Sequence, residues 1–151
     1  VTASRSKIHP PAHNDWVIPR PRLNKRLFTL RQDYRIVWVL GSAGSGKTTA
    51  VVDAVTALDS NTAWLTLDST ETAPGRLLVH IEDALTHIAP TMMRAATAAL
   101  AAEVPHAEAA ADLADALAGT LLTLVLDEVE HVADPQRSMR CRHFCDAFRP
   151  Q

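Results

Sequence analysis

The stretch Gly41–Thr49, "GSAGSGKTT", directly follows the apolar run "RIVWVL" at 35–40, and the reading of these two segments together decides the fold. Glycines stand at 41, 44 and 46. A residue without a Cβ accepts positive φ and lets other groups approach its backbone, so a loop with this spacing can turn successive N–H groups towards one anion. As a plain joint between a strand and a helix, it would lose the extra chain entropy of three glycines for no gain. The residues fit G-x-x-x-x-G-K-[ST] in full, with Gly41, Gly46, Lys47 and Thr48 at the fixed positions. The expected ligand is the phosphate chain of a nucleoside triphosphate. The backbone of Gly41, Ser42, Ala43, Gly44, Ser45, Gly46, Lys47, Thr48 and Thr49, with the unpaired donors of the following helix, would hold it. Lys47 adds a point charge for the β- and γ-phosphates, a catalytic as well as a binding role, and Thr48 offers a hydroxyl to Mg²⁺.

Working outward, "RIVWVL" reads as a short strand buried on both faces, ending at Gly41. Val51, Val52, Val55 and Leu58 recur at helical spacing after the loop, so "KTTAVVDAVTAL" is expected to be a helix of about three turns. "TAWLTLD", 62–68, reads as a second strand, and Thr70 to Gly75 as a loop. "RLLVHIEDALTHI" is an amphipathic helix that Pro90 ends. The Ala-rich segment 91–118, split by Pro105, should form two more helices, and "TLLTLVLDE" at 120–128 a third strand. Upstream, 1–21 holds four of the nine prolines and reads as an extended leader, with 1–15 outside the ordered domain and "VIPRPRL" non-helical before "NKRLFTL". The order strand, helix, strand, helices, strand predicts an α/β fold with a parallel sheet between helical layers.

Asp127 and Glu128 fall at the carboxyl end of the third strand, the edge where open α/β sheets bind ligands. Asp127 is expected to hold Mg²⁺ through its water shell, and Glu128 to orient or deprotonate an attacking water, which makes the reaction hydrolysis. Charge is uneven along the chain. Lys and Arg outnumber Asp and Glu eight to two over 1–35, whereas acids lead fourteen to three over 36–136. The acidic middle argues against DNA binding by this segment, and the basic N-terminal part reads as a solvated arm. Cys141 and Cys145 flank His143 four residues apart, which suits reduced thiols better than a disulfide or a zinc site. No apolar stretch reaches membrane-spanning length and no secretory signal is evident, so a cytoplasmic protein is expected.

Taken together, "VIPRPRLNKRL", "VLGSAGSGKTT", "AWLTLD" and "LVLDEVEHVADP" resemble, in order and spacing, the ATPase domain of large ATP-binding LuxR-type transcriptional regulators. These form a branch of the STAND signalling ATPases that includes the maltose-regulon activator. The resemblance covers about 16–135 and implies a P-loop NTPase three-layer sandwich that binds ATP and Mg²⁺, hydrolyses slowly and switches the protein towards self-association. It also implies that Arg20 to Leu23 lie near the adenine, and that Asp68 closes the second strand beside the nucleotide. The chain departs from the family's two aspartates with Asp127-Glu128, and His131 is displaced by one position. Members of this fold insert a further strand, coming after the acidic pair, into the sheet. Here only "QRSMRCRHFCDAFRPQ" follows, so the sheet is expected to be incomplete at its C-terminal side, as in a truncated fragment lacking the DNA-binding domain. Two other readings compete: a small-molecule P-loop kinase with Arg137, Arg140 and Arg142 as a lid, and an inactive remnant.

Overall fold

A computed structural model describes residues 2–12, 16–56, 61–86, 88–90 and 94–132, and these form a mixed α/β structure. The chain divides into two compact units, one of 11–62 and one combining 1–10 with 63–151. The basic segment and residues beyond 132, including the cysteine pair and the three arginines of the proposed lid, fall partly or wholly outside the described residues.

In the unit of 11–62, α1 (Pro21–Asp33) packs against α2 (Lys47–Thr56). Pro21 is the first helical residue, so the proline segment is not extended throughout as its prolines suggest. At that position the missing N–H forfeits no intrahelical bond and the fixed φ already suits a helix. Helix α2 starts where the glycine loop ends, with Ala50 N–H donating to Gly46 O at 3.0 Å. Ala50, Val52 and Ala54 are its buried residues.

The strand expected at 35–40 does not form. Residues 36–40 are irregular, and Ile36, Trp38 and Leu40 are exposed while Val37 and Val39 are half-buried. Ordering a residue costs about 1–2 kcal/mol of backbone entropy, which a strand recovers only through ladder bonds and burial. With its largest side chains in solvent, this run recovers little of either.

The other unit is built around a parallel pair, β1 (Thr62–Thr66) and β2 (Thr123–Asp127), the only sheet among the described residues. Alternation along β1 sends Ala63 and Leu65 into the helical core and Trp64 to the opposite face, and all three are buried. That double burial explains why this run, unlike 36–40, holds strand geometry. Helices α3 (Arg76–Leu85), α4 (Ala95–Ala101) and α5 (His106–Ala116) cover the pair, as the sequence pattern predicts. Leu78, Ile81 and Leu85 of α3 meet Ala96, Ala99, Ala109, Ala110 and Leu113 in one cluster. The alanines keep α4 and α5 close while adding almost no side-chain entropy loss.

Two local devices fix these helices. Glu82 is fully buried, and its carboxylate accepts from Ala96 N (2.7 Å), Thr97 N (3.0 Å) and the Thr97 hydroxyl, capping α4 from fourteen residues away. At the other end of α4, Val104 N–H donates to Ala99 O and Glu103 N–H to Leu100 O, with Glu103 at φ 60°. This pair of bonds is the Schellman arrangement, with glutamate where glycine is favoured.

Residues 2–10 pack with this unit. Lys7 O accepts from Thr66 N–H of β1 at 2.8 Å, Ala3 N–H donates to Asp83 Oδ2 at 2.6 Å, and Ile8 packs on the core. The solvated arm expected from charge alone is therefore corrected for this stretch.

Candidate functional site

The glycine loop lies on the surface: 41–45 are exposed and 46–49 half-buried. Ser45 N–H donates to Ser42 O at 3.2 Å, closing a turn whose third residue, Gly44, has φ +75°. Gly46, at φ +78°, caps α2 in the left-handed region. Both positions disfavour any residue with a Cβ. Lys47 bends back over the loop, its Nζ donating to Gly41 O at 3.0 Å and Ser42 O at 3.2 Å. Arg20 joins from the residue before α1: Nη1 donates to Ser45 O at 3.4 Å. Thr48 and Thr49 occupy the first turn of α2, half-buried. The structure thus brings Gly41 through Thr49, Lys47 and Arg20 together on one loop. Two cations rest there on backbone carbonyls, so the loop is electropositive at the start of a ten-residue helix.

The acidic residues sit in the other unit. Leu67 N–H donates to Asp127 O at 2.9 Å, so the carboxyl ends of β1 and β2 lie side by side. Asp68, Asp127 and Glu128 therefore share one edge of the parallel pair. Asp127 is half-buried at the last position of β2, and Glu128 is exposed with φ 57° at the head of a short 3-10 turn, Val129–His131. A non-glycine residue held in the left-handed region is strained by roughly 1–2 kcal/mol. His131 Nε2 approaches Glu128 Oε2 at 3.5 Å, and with both about half exposed this is a weak pair even when the imidazole is charged.

Asp68 is already engaged. Its Oδ2 lies 2.8 Å from Lys7 Nζ and its Oδ1 accepts from Thr70 N–H at 2.7 Å. Lys7 also meets Glu71 Oε1 at 2.7 Å and the Thr70 hydroxyl at 3.0 Å. Glu71 returns Oε2 to Asp68 N–H at 2.7 Å, which completes a capping box on the 3-10 turn Ser69–Thr72, where the sequence suggests only loop. His80 Nδ1 stands 2.6 Å from Glu71 Oε1. A carboxylate can only accept, so Nδ1 carries the proton. The Lys7 bonds, then Thr70, hold the Asp68 carboxyl well below its ordinary value. Burial pushes Glu71 up, but Lys7, Asp68 N–H and His80 together outweigh it and leave the net shift downward. Burial likewise opposes the Lys7 charge, and the two carboxylates overcome it, raising the ammonium above its ordinary value.

This network escapes a motif search. The signal Asp68-x-x-Glu71 is readable as a capping box, but nothing in the chain near Lys7 points to partners more than sixty residues away.

No protein-family model matches the chain, and a search of curated proteins finds no match. Among the described residues no helix is long and apolar enough to cross a membrane.

Proposed function

We propose that this chain binds ATP through the loop Gly41–Thr49 and hydrolyses it slowly, as the nucleotide switch of a LuxR-type transcriptional regulator with a P-loop NTPase fold. The observation that carries the reading is Lys47 Nζ folded onto Gly41 O and Ser42 O above a loop with two left-handed glycines. A lysine in that position needs little movement to exchange carbonyls for the more strongly accepting phosphate oxygens. Mg²⁺ suits the donors on hand. The Thr48 hydroxyl, in the first turn of α2, is a hard oxygen donor, and Asp127 is the carboxylate that the reading assigns to the ion. Mg²⁺ is usually bound by one or two protein oxygens plus phosphates and water. When bound, the ion would neutralise charge on the phosphate oxygens. Glu128 is the proposed water-orienting residue, and its strained backbone is the kind of feature that functional positions retain. Nucleotide binding would switch the protein towards self-association in the cytoplasm, with no DNA contact made by this segment.

The test is equilibrium binding of ATP with and without Mg²⁺, followed by phosphate release. Saturable binding lost in Lys47→Ala, with slow release of inorganic phosphate that Glu128→Gln reduces, supports the proposal. Transfer of phosphate to a small acceptor in place of water would replace it with the kinase reading.

A further inference from the structure

We infer that Arg20 acts on the phosphates of the bound nucleotide, as a second cation of the loop beside Lys47, and not on the base. The inference rests on the nucleotide reading above and reassigns a residue that the family resemblance places near the adenine. Arg20 Nη1 reaches Ser45 O at 3.4 Å, and a Cβ built on Gly46 would stand 3.1 Å from Nη2. The guanidinium therefore lies against the Ser45–Gly46 peptide, one residue ahead of Lys47. Lys47 in turn holds Gly41 O and Ser42 O at the start of the loop. Between them the two cations bracket it.

The bond inventory supports exchange. A guanidinium carries five N–H donors, and among the described residues this one makes a single bond, longer than the usual 2.7–3.2 Å or so. A charged phosphate oxygen is a better acceptor than an amide carbonyl, and the planar fork matches two such oxygens at once. The glycine that Arg20 rests on is also one of the fixed glycines of the G-x-x-x-x-G-K-[ST] pattern, so the guanidinium stands at the end of the loop that leads into Lys47.

The experiment measures binding of ATP, inorganic tripolyphosphate and adenosine to the full chain and to Arg20→Ala and Arg20→Lys, at two salt concentrations. Arg20 is exposed, so both variants should keep the wild-type denaturation midpoint, which is recorded alongside. The expected result is that Arg20→Ala weakens ATP and tripolyphosphate by a similar factor, on the order of ten- to a hundredfold, with a shallower salt dependence. Arg20→Lys recovers part of the loss because the charge returns without the fork, and any adenosine binding is unchanged. Weaker ATP binding with unaltered tripolyphosphate binding would assign Arg20 to the base and overturn the inference. So would no change with either ligand, or a wild-type chain that binds ATP but not tripolyphosphate. A wild-type chain that binds neither removes the nucleotide reading itself, and the inference with it.

Discussion

Replacing Lys7 with methionine keeps the aliphatic stem and removes the charge that ties residues 2–10 to the capping box. The Asp68 side chain is 45% exposed, so its ion pair is screened and is worth under about 1 kcal/mol. Glu71 differs, since its side chain is fully buried and, among the described residues, its Oε1 depends on Lys7 and His80. Losing one charge-assisted bond there, with the carboxylate still dry, should cost about 2–4 kcal/mol in total. The expected order of destabilisation is therefore Lys7→Met well above Asp68→Asn. Urea unfolding followed by tryptophan fluorescence reports it, because Trp64 in β1 is 2% exposed whereas Trp16 and Trp38 are largely in solvent. The Lys7→Met effect should also shrink by more than about 1 kcal/mol in a Glu71→Gln background, since the partner charge is then gone.

The same contacts set a pH window. Asp68 and Glu71 have lowered pKa values, so their contribution is present above the ordinary carboxylate range and is lost as pH falls through the depressed folded values. Lys7 has a raised value, so its contribution holds below its ordinary 10.5 and is lost as pH climbs through the higher folded one. The wild-type advantage over Lys7→Met should accordingly be flat near neutrality and fade at strongly acid and strongly alkaline pH. A Lys7→Met chain within 0.5 kcal/mol or so of wild type at pH 7, or equal costs for Lys7→Met and Asp68→Asn, would refute this account of the network.

Two further substitutions test the helical layer. Glu82→Leu strands the buried Ala96 N–H and the part-buried Thr97 N–H and should cost about 3 kcal/mol with loss of far-ultraviolet helicity, both read from denaturation followed by circular dichroism. Glu103→Gly should stabilise the chain by about 0.5–1 kcal/mol, visible as a raised urea midpoint at unchanged slope, because glycine relieves the positive φ that ends α4.

Much of the layer was legible because periodicity and breakers agree there. The short apolar run inside "TAWLT", the stripe through Leu78, Ile81 and Leu85, and Pro105 between two alanine helices all specify local structure that burial then reinforces. The run at 36–40 has the same apolar, β-branched composition, yet strand geometry depends on neighbours that composition does not reveal. Of the site, the loop is a contiguous motif and reads directly. The ties made by Lys7 and Glu82 run between distant parts of the chain, and side-chain partners at that separation leave no local pattern. Arg20 stands between these cases, named by resemblance and placed by the fold on the peptide of Ser45.

Thermal unfolding of the chain with and without saturating MgATP, repeated for Lys47→Ala, tests the nucleotide reading most directly. At about 100 times its Kd the ligand should add roughly 2.7 kcal/mol, a rise of several degrees in Tm for the wild type and none for the variant. A cooperative transition that MgATP leaves unmoved would contradict the assignment of the Gly41–Thr49 loop to a nucleotide.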